Sequence, residues 1–208
     1  MLADHQIKAT FCLVGEQVTK HPEVVRQIAE AGHTLCNHTW NHSLTIGKDK
    51  RAEIRADLRK TTAAIKAAVP GAEVPFFRAP GGNFTRPLVE VAYGLKMRSL
   101  YWETDPRDWE HEDGETAAQH TARVIKSVKK TKAGAIILSH DFNQPDTVKA
   151  YEELLPWLKK NFKLGIPPAL PAAPPAQVRP PPAQQPPPAD QPTADGKPAD
   201  AGAAAAGK

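Results

Sequence analysis

Apolar positions recur along this chain in short runs that alternate with stretches of helical spacing. Ala9-Thr10-Phe11-Cys12-Leu13-Val14 reads as a buried strand, and Pro22 to Ala31 as a helix with proline at its first position and Gly32 past its end. Thr34-Leu35-Cys36 is a short strand. Lys50 to Val69 carries Ile54, Leu58, Ile65 and Val69 at helical spacing and stops at Pro70. Phe76-Phe77-Arg78 is a strand running into a glycine-rich turn. Thr85 caps a helix over 86–93, closed by Gly94. Strands follow at 98–102 and 135–138, with helices at 116–131 and 147–162; Pro156 is expected to interrupt the last. Met1 to Gln6 has the look of a helix end leading straight into a buried strand.

Repeated strand–helix units imply a parallel sheet covered by helices. A (β/α) barrel and an open doubly wound sheet both satisfy the pattern, and both gather their strand ends on one face. Four short motifs fall at those ends: His38-Thr39-Trp40-Asn41-His42, Arg78-Ala79-Pro80-Gly81-Gly82, Asp105-Pro106-Arg107-Asp108-Trp109 and Leu138-Ser139-His140-Asp141. Neither a Gly-x-Gly-x-x-Gly turn nor a P-loop is present, so nothing supports a nucleotide site.

From about Leu164 the pattern ends. Thirteen of the 21 prolines lie beyond it, amid alanine, glutamine and glycine. Residues 167–208 are therefore expected to form a disordered Pro/Ala-rich tail, and residues 1–166 the folded domain. Net charge is +4 over 208 residues, and the tail adds nothing to it. Lys126, Lys129, Lys130 and Lys132 cluster at a helix end without interleaved aromatics, which reads as a solvated face and not as a nucleic-acid surface. No apolar run is long enough to span a membrane, and Met1–Gln6 has neither the charged start nor the apolar stretch of a signal peptide. Cys12 and Cys36 lie in strand-like runs. Two buried thiols are the default, with a disulfide between neighbouring strands as the alternative.

The chemistry lies in the four motifs. His38 and His42, at i and i+4, would project from one face of a helical turn towards one cation, zinc by preference for imidazole. Such a site still needs a third ligand, usually a carboxylate. His140, ending an apolar strand, suits a general acid, with Asp108 as its carboxylate and Asp105 and Asp141 as alternatives. Arg78 suits a two-point grip on a carboxylate, and the glycines after it offer backbone N–H to an oxyanion. Trp40, Trp102 and Trp109 could stack on sugar faces or simply pack. Together these parts describe metal-assisted hydrolysis.

The four motifs resemble, in order, the second to fifth motifs of the polysaccharide deacetylases, the NodB-homology domain of carbohydrate esterase family 4. The resemblance runs from about Met1 to Ile166. It implies a distorted (β/α) barrel and removal of acetyl groups from N-acetylglucosamine polymers or acetylated xylan, with zinc or a similar divalent ion. By that likeness His38 and His42 bind metal, His140 is the general acid tuned by Asp108, Trp109 lines the site, and the Gly81 N–H faces the oxyanion. It also implies a secreted or wall-associated protein.

The family's first motif, Thr-Phe-Asp-Asp-Gly, supplies the base and the third ligand, and no such sequence occurs here. Asp4 and Asp49 stand in the wrong contexts to replace it, and Arg78 would be left without its partner. The expectation is an N-terminally truncated barrel lacking its first strand, with weak metal affinity and little or no activity. The alternative is a short, non-catalytic carbohydrate- or wall-binding module.

Overall fold

The computed structural model describes residues 1–171. Four parallel strands form one sheet in sequence order: β1 (Thr10–Leu13), β2 (Thr34–Asn37), β3 (Phe76–Phe77) and β4 (Arg98–Ser99). The register sets Cys12 beside Cys36, Cys36 beside Phe76, and Phe77 beside Ser99. A further parallel bridge joins Thr104 to Ile137. The 135–138 segment thus continues the strand series only as a single bridge. Among the described residues the sheet does not close into a barrel, and β1 lies at its edge.

Strand alternation divides the core. Leu35 and Phe77 face one side, where α2 (Pro22–Glu30), α3 (Arg51–Ala68) and α4 (Arg86–Gly94) supply Val25, Ile54, Leu58, Ile65, Leu88 and Val91. Their sequence neighbours Cys36 and Phe76 face the other side, against Leu100, Cys12 and Ile136. A third cluster joins α5 (Ala117–Val128) to α6 (Pro145–Asn161) through Val124, Val128, Ala150, Leu154 and Leu158.

Several sequence expectations are corrected. Cys12 and Cys36 are joined in a disulfide, because the parallel register brings them side by side. Met1–Gln6 forms turns and not a helix end. Gly94 lies inside α4; the chain reverses at Lys96, which takes φ 66°. Helix α6 runs unbroken through Pro156. Pairing on one face with α5 buries Ala150, Leu154 and Leu158, which holds the helix across the missing N–H. A short helix, α1 (Gly15–Lys20), follows β1 directly and was not legible from apolar spacing.

The chain stays in contact with the fold around the expected boundary at 166. Ile166, Pro167 and Ala169 line a surface cleft with Ala29 and His33, and Arg98 donates to the Pro168 carbonyl at 2.8 Å. The rest of the expected tail, 172–208, lies outside the described residues.

Candidate active site

The loop after β2 is held from three sides before it carries any chemistry. The buried Asn37 donates to the Leu58 carbonyl (2.8 Å) and Thr62 Oγ1 (3.0 Å), and its own Oδ1 accepts from the Thr39 N–H. The first two N–H groups of α1 find acceptors in the same loop: Gly15 donates to Thr39 O and Glu16 to Trp40 O. Asp57 of α3 accepts from the Trp40 N–H at 2.9 Å. Burial raises the Asp57 pKa, opposed by that bond. Trp40 packs under the Lys60 ammonium, 3.6 Å from the ring centroid, and against Gly15.

So anchored, the loop is not helical. Thr39 and His42 adopt φ of 64° and 59°, in the left-handed region that non-glycine residues seldom occupy. His38 and His42 still converge: their rings meet edge to face with centroids 4.8 Å apart. The i, i+4 spacing therefore brings the pair together through a strained loop and not through a helical turn.

His38 is 5% exposed. Its Nδ1 lies 2.7 Å from the Arg78 carbonyl, which fixes that nitrogen as the N–H donor and leaves Nε2 with its lone pair. Burial, then the Arg78 charge, holds the His38 pKa down at about 3. The same two causes lower that of His42. Both rings are thus neutral, the form that ligates a cation.

Arg78 leaves β3 and points its Nη2 at His38 Nε2, 3.5 Å away. Burial brings its pKa down to about 10, while the charges of Asp108 and Asp141 oppose that shift. Among the described residues it forms no ion pair, and no carboxylate joins the histidine pair to make a three-ligand group.

His140 and Asp108 do meet. Asp108 is fully buried; its Oδ1 takes the His140 Nδ1–H at 2.8 Å and its Oδ2 the His140 backbone N–H at 2.7 Å. One carboxylate thereby fixes both the ring and the strand end that carries it. Asp105 serves the turn instead, accepting from Arg107 N and Trp102 Nε1.

Several exposed apolar side chains lie within or next to the motifs in sequence. Trp109, flanked by the Arg107 guanidinium, is about half exposed. Tyr101 stacks on Trp102 with centroids 4.8 Å apart, and Trp102 lies against Gly82. Gly81, at φ 60°, is exposed on the same turn, with Leu44 beside it. Phe142, two residues after His140, is 73% exposed. Phe142, Leu44 and the anchoring Asp57 are not evident in the motifs; their only signal is adjacency to motif residues or, for Asp57, a polar position on the inner half of a helix.

Strand-end imidazoles beside a carboxylate-held histidine, on a parallel sheet backed by helices, define a hydrolase-type α/β domain. The family pattern for polysaccharide deacetylase matches residues 1–100. A chitooligosaccharide deacetylase of Bradyrhizobium is 29% identical over 174 residues, covering 77% of this chain and 76% of its own. A peptidoglycan-N-acetylglucosamine deacetylase of Bacillus cereus is 30% identical over 164 residues, covering 77% and 73%. Among solved structures, a CE4 family pseudoenzyme from Bacillus anthracis superposes with a TM-score of 0.66 at 29% identity, over 76% of this chain and 53% of that one. A mutant of it with restored enzymatic activity gives 0.68 at 30%, over 79% and 57%. The chain belongs to the polysaccharide deacetylase family, carbohydrate esterase family 4, and has its NodB-type α/β fold.

Proposed function

We propose that the strand-end face is a polysaccharide deacetylase site for N-acetylglucosamine-containing polymers or acetylated xylan, and that the 208-residue chain by itself has little or no activity. The observation that carries the first half is the Asp108–His140 pair beside the neutral His38–His42 pair. The observation that carries the second is that, among the described residues, Arg78 has no carboxylate partner and no carboxylate joins the histidines.

His38 and His42 fit zinc as neutral imidazoles: the Arg78 carbonyl holds His38 Nδ1–H, and the Nε2 lone pair is met only by the Arg78 guanidinium at 3.5 Å, which a cation would displace. A bound zinc would polarise the acetyl carbonyl and acidify a water. The third donor is lacking, so the metal fits two-thirds of its site and binds weakly. The rest of the work belongs to the chain's own groups. His140, oriented by Asp108, gives its Nε2 proton to the departing amine. The Gly81 N–H faces the developing oxyanion, Trp109 walls the pocket, and Arg78 is the group that would grip a catalytic carboxylate. The substrate class points to a secreted or wall-associated setting; no helix among the described residues is long and apolar enough to cross a membrane.

A second reading is favoured by the likeness to a pseudoenzyme and by the exposed aromatic side chains: a non-catalytic glycan-binding module. Incubating N-acetylglucosamine oligomers and zinc with the chain, and with the chain preceded by a strand bearing Thr-Phe-Asp-Asp-Gly, while following oligomer mass and Trp fluorescence, separates the readings. Acetyl loss with the extended chain alone supports the deacetylase site, and saturable quenching without acetyl loss from either protein supports binding alone. Brisk zinc-dependent acetyl loss by the chain as it stands would show that the site is complete.

A further inference from the structure

A second group of ligand-type side chains lies away from the strand-end histidines. His111 sits in the loop after Trp109, His120 on α5, and Asp146 in the first turn of α6. One ligand atom from each lies within 4.8 Å of the others. His120 is fully buried, and neither of its ring nitrogens has a hydrogen-bond partner among the described residues. A neutral imidazole carries one donor and one acceptor, and interiors rarely leave both unpaired. Asp146 Oδ2 stands 3.6 Å from His120 Nδ1, too far for a hydrogen bond. It is close to the roughly 3.3 Å edge of a tetrahedron whose metal–ligand bonds are about 2.0–2.1 Å. The His111 ring lies over His120, with centroids 4.1 Å apart and planes 24° apart. Gln144 Oε1 meets His111 Nε2 at 3.2 Å and steadies the exposed ring there.

A carboxylate at a helix N-terminus explains Asp146 but not a buried histidine with two orphaned nitrogens. An inserted cation would engage Asp146 and one of those two nitrogens together. Two imidazoles and one carboxylate, with an open fourth position for water, suit zinc and disfavour magnesium or calcium.

We propose that His111, His120 and Asp146 form a second divalent-cation site of the zinc type, clamping the loop after Trp109 to the start of α6. The placement gives the clamp a consequence. His111 is three residues beyond Asp108, and Asp146 six beyond His140. A cation there ties together the two segments whose side chains make the Asp108–His140 pair. It is a positioning device and touches no reacting atom. Ligation by His111 takes only a rotation of an exposed side chain.

Tag-free protein carrying His38→Ala and His42→Ala removes the other imidazole pair from the count. Zinc content after equilibrium dialysis is expected to be one per chain in that background, and to fall to none on adding His111→Ala or Asp146→Asn. Zinc, but not magnesium, raises the thermal midpoint of the background protein, and His111→Ala abolishes the rise, read against that variant's own metal-free midpoint. If the double variant does not fold, the same comparison is made between the wild-type chain and His111→Ala, where the variant binds one zinc fewer. A background protein that binds no zinc, or an unchanged zinc content after His111→Ala, overturns the proposal.

Discussion

Asp108 makes two hydrogen bonds from one buried carboxylate, one to the imidazole and one to the backbone of His140. Replacing it with asparagine keeps the shape but removes the charge from both bonds. Hydrogen bonds to charged groups contribute about 1.5–3 kcal/mol, so Asp108→Asn is expected to lower unfolding stability by about that much in a denaturant titration. His38 supplies a pH test. Its folded-state pKa is about 3, below the ordinary histidine value, because burial excludes the charged form. The unfolded chain therefore takes up a proton that the folded chain refuses. This stability is fully present above pH about 6.5 and is lost progressively as pH falls towards 3. In chelator-treated protein, the thermal midpoint should drop between pH 7 and 4. His38→Ala should flatten that drop, though its midpoint at neutral pH will differ.

At the scale of elements, the loop after β2 depends on α1. Its first turn offers N–H groups to Thr39 and Trp40, and Gly15 lies so close to Trp40 that an added Cβ would approach the ring to 2.5 Å. Gly15→Ala is thus expected to cost about 1–3 kcal/mol by overpacking, and to shift Trp40 fluorescence as the ring moves. The sequence shows most of this architecture but not this contact. Apolar spacing marks α2, α3, α4 and α6 within a residue or two and overshoots the end of α5 by three, because each buries one stripe. Helix α1 escapes because it buries only Gly15 and Val18, too little to leave a period. The histidine pair is legible as a pair, but the strained loop that joins it is not: its Thr39 and Trp40 backbone is held by Asn37 beside it and by Asp57 and α1 from elsewhere in the chain. The His120 cluster is equally silent in sequence, since its three members come from a loop and two helices.

At the scale of the molecule, one side of the sheet is closed by three helices and the other partly by a cluster that includes the disulfide. Cys12–Cys36 encloses a chain segment with a separation of 24 residues and fastens the edge strand β1 to β2. Loop-closure reasoning gives such a link about 2–4 kcal/mol, so reduction under native conditions should lower the unfolding free energy by that order. Among the described residues, Arg78 stands beside the histidine pair without a carboxylate partner. The most direct measurement is acetate release from N-acetylglucosamine oligomers by two proteins: the 208-residue chain, and the same chain preceded by a strand bearing Thr-Phe-Asp-Asp-Gly. The account predicts metal-dependent release from the second only, lost on His42→Ala and lowered roughly 10²–10⁴-fold on His140→Ala. Equal release by both proteins, or a folded, zinc-loaded extended chain that releases none, would contradict it.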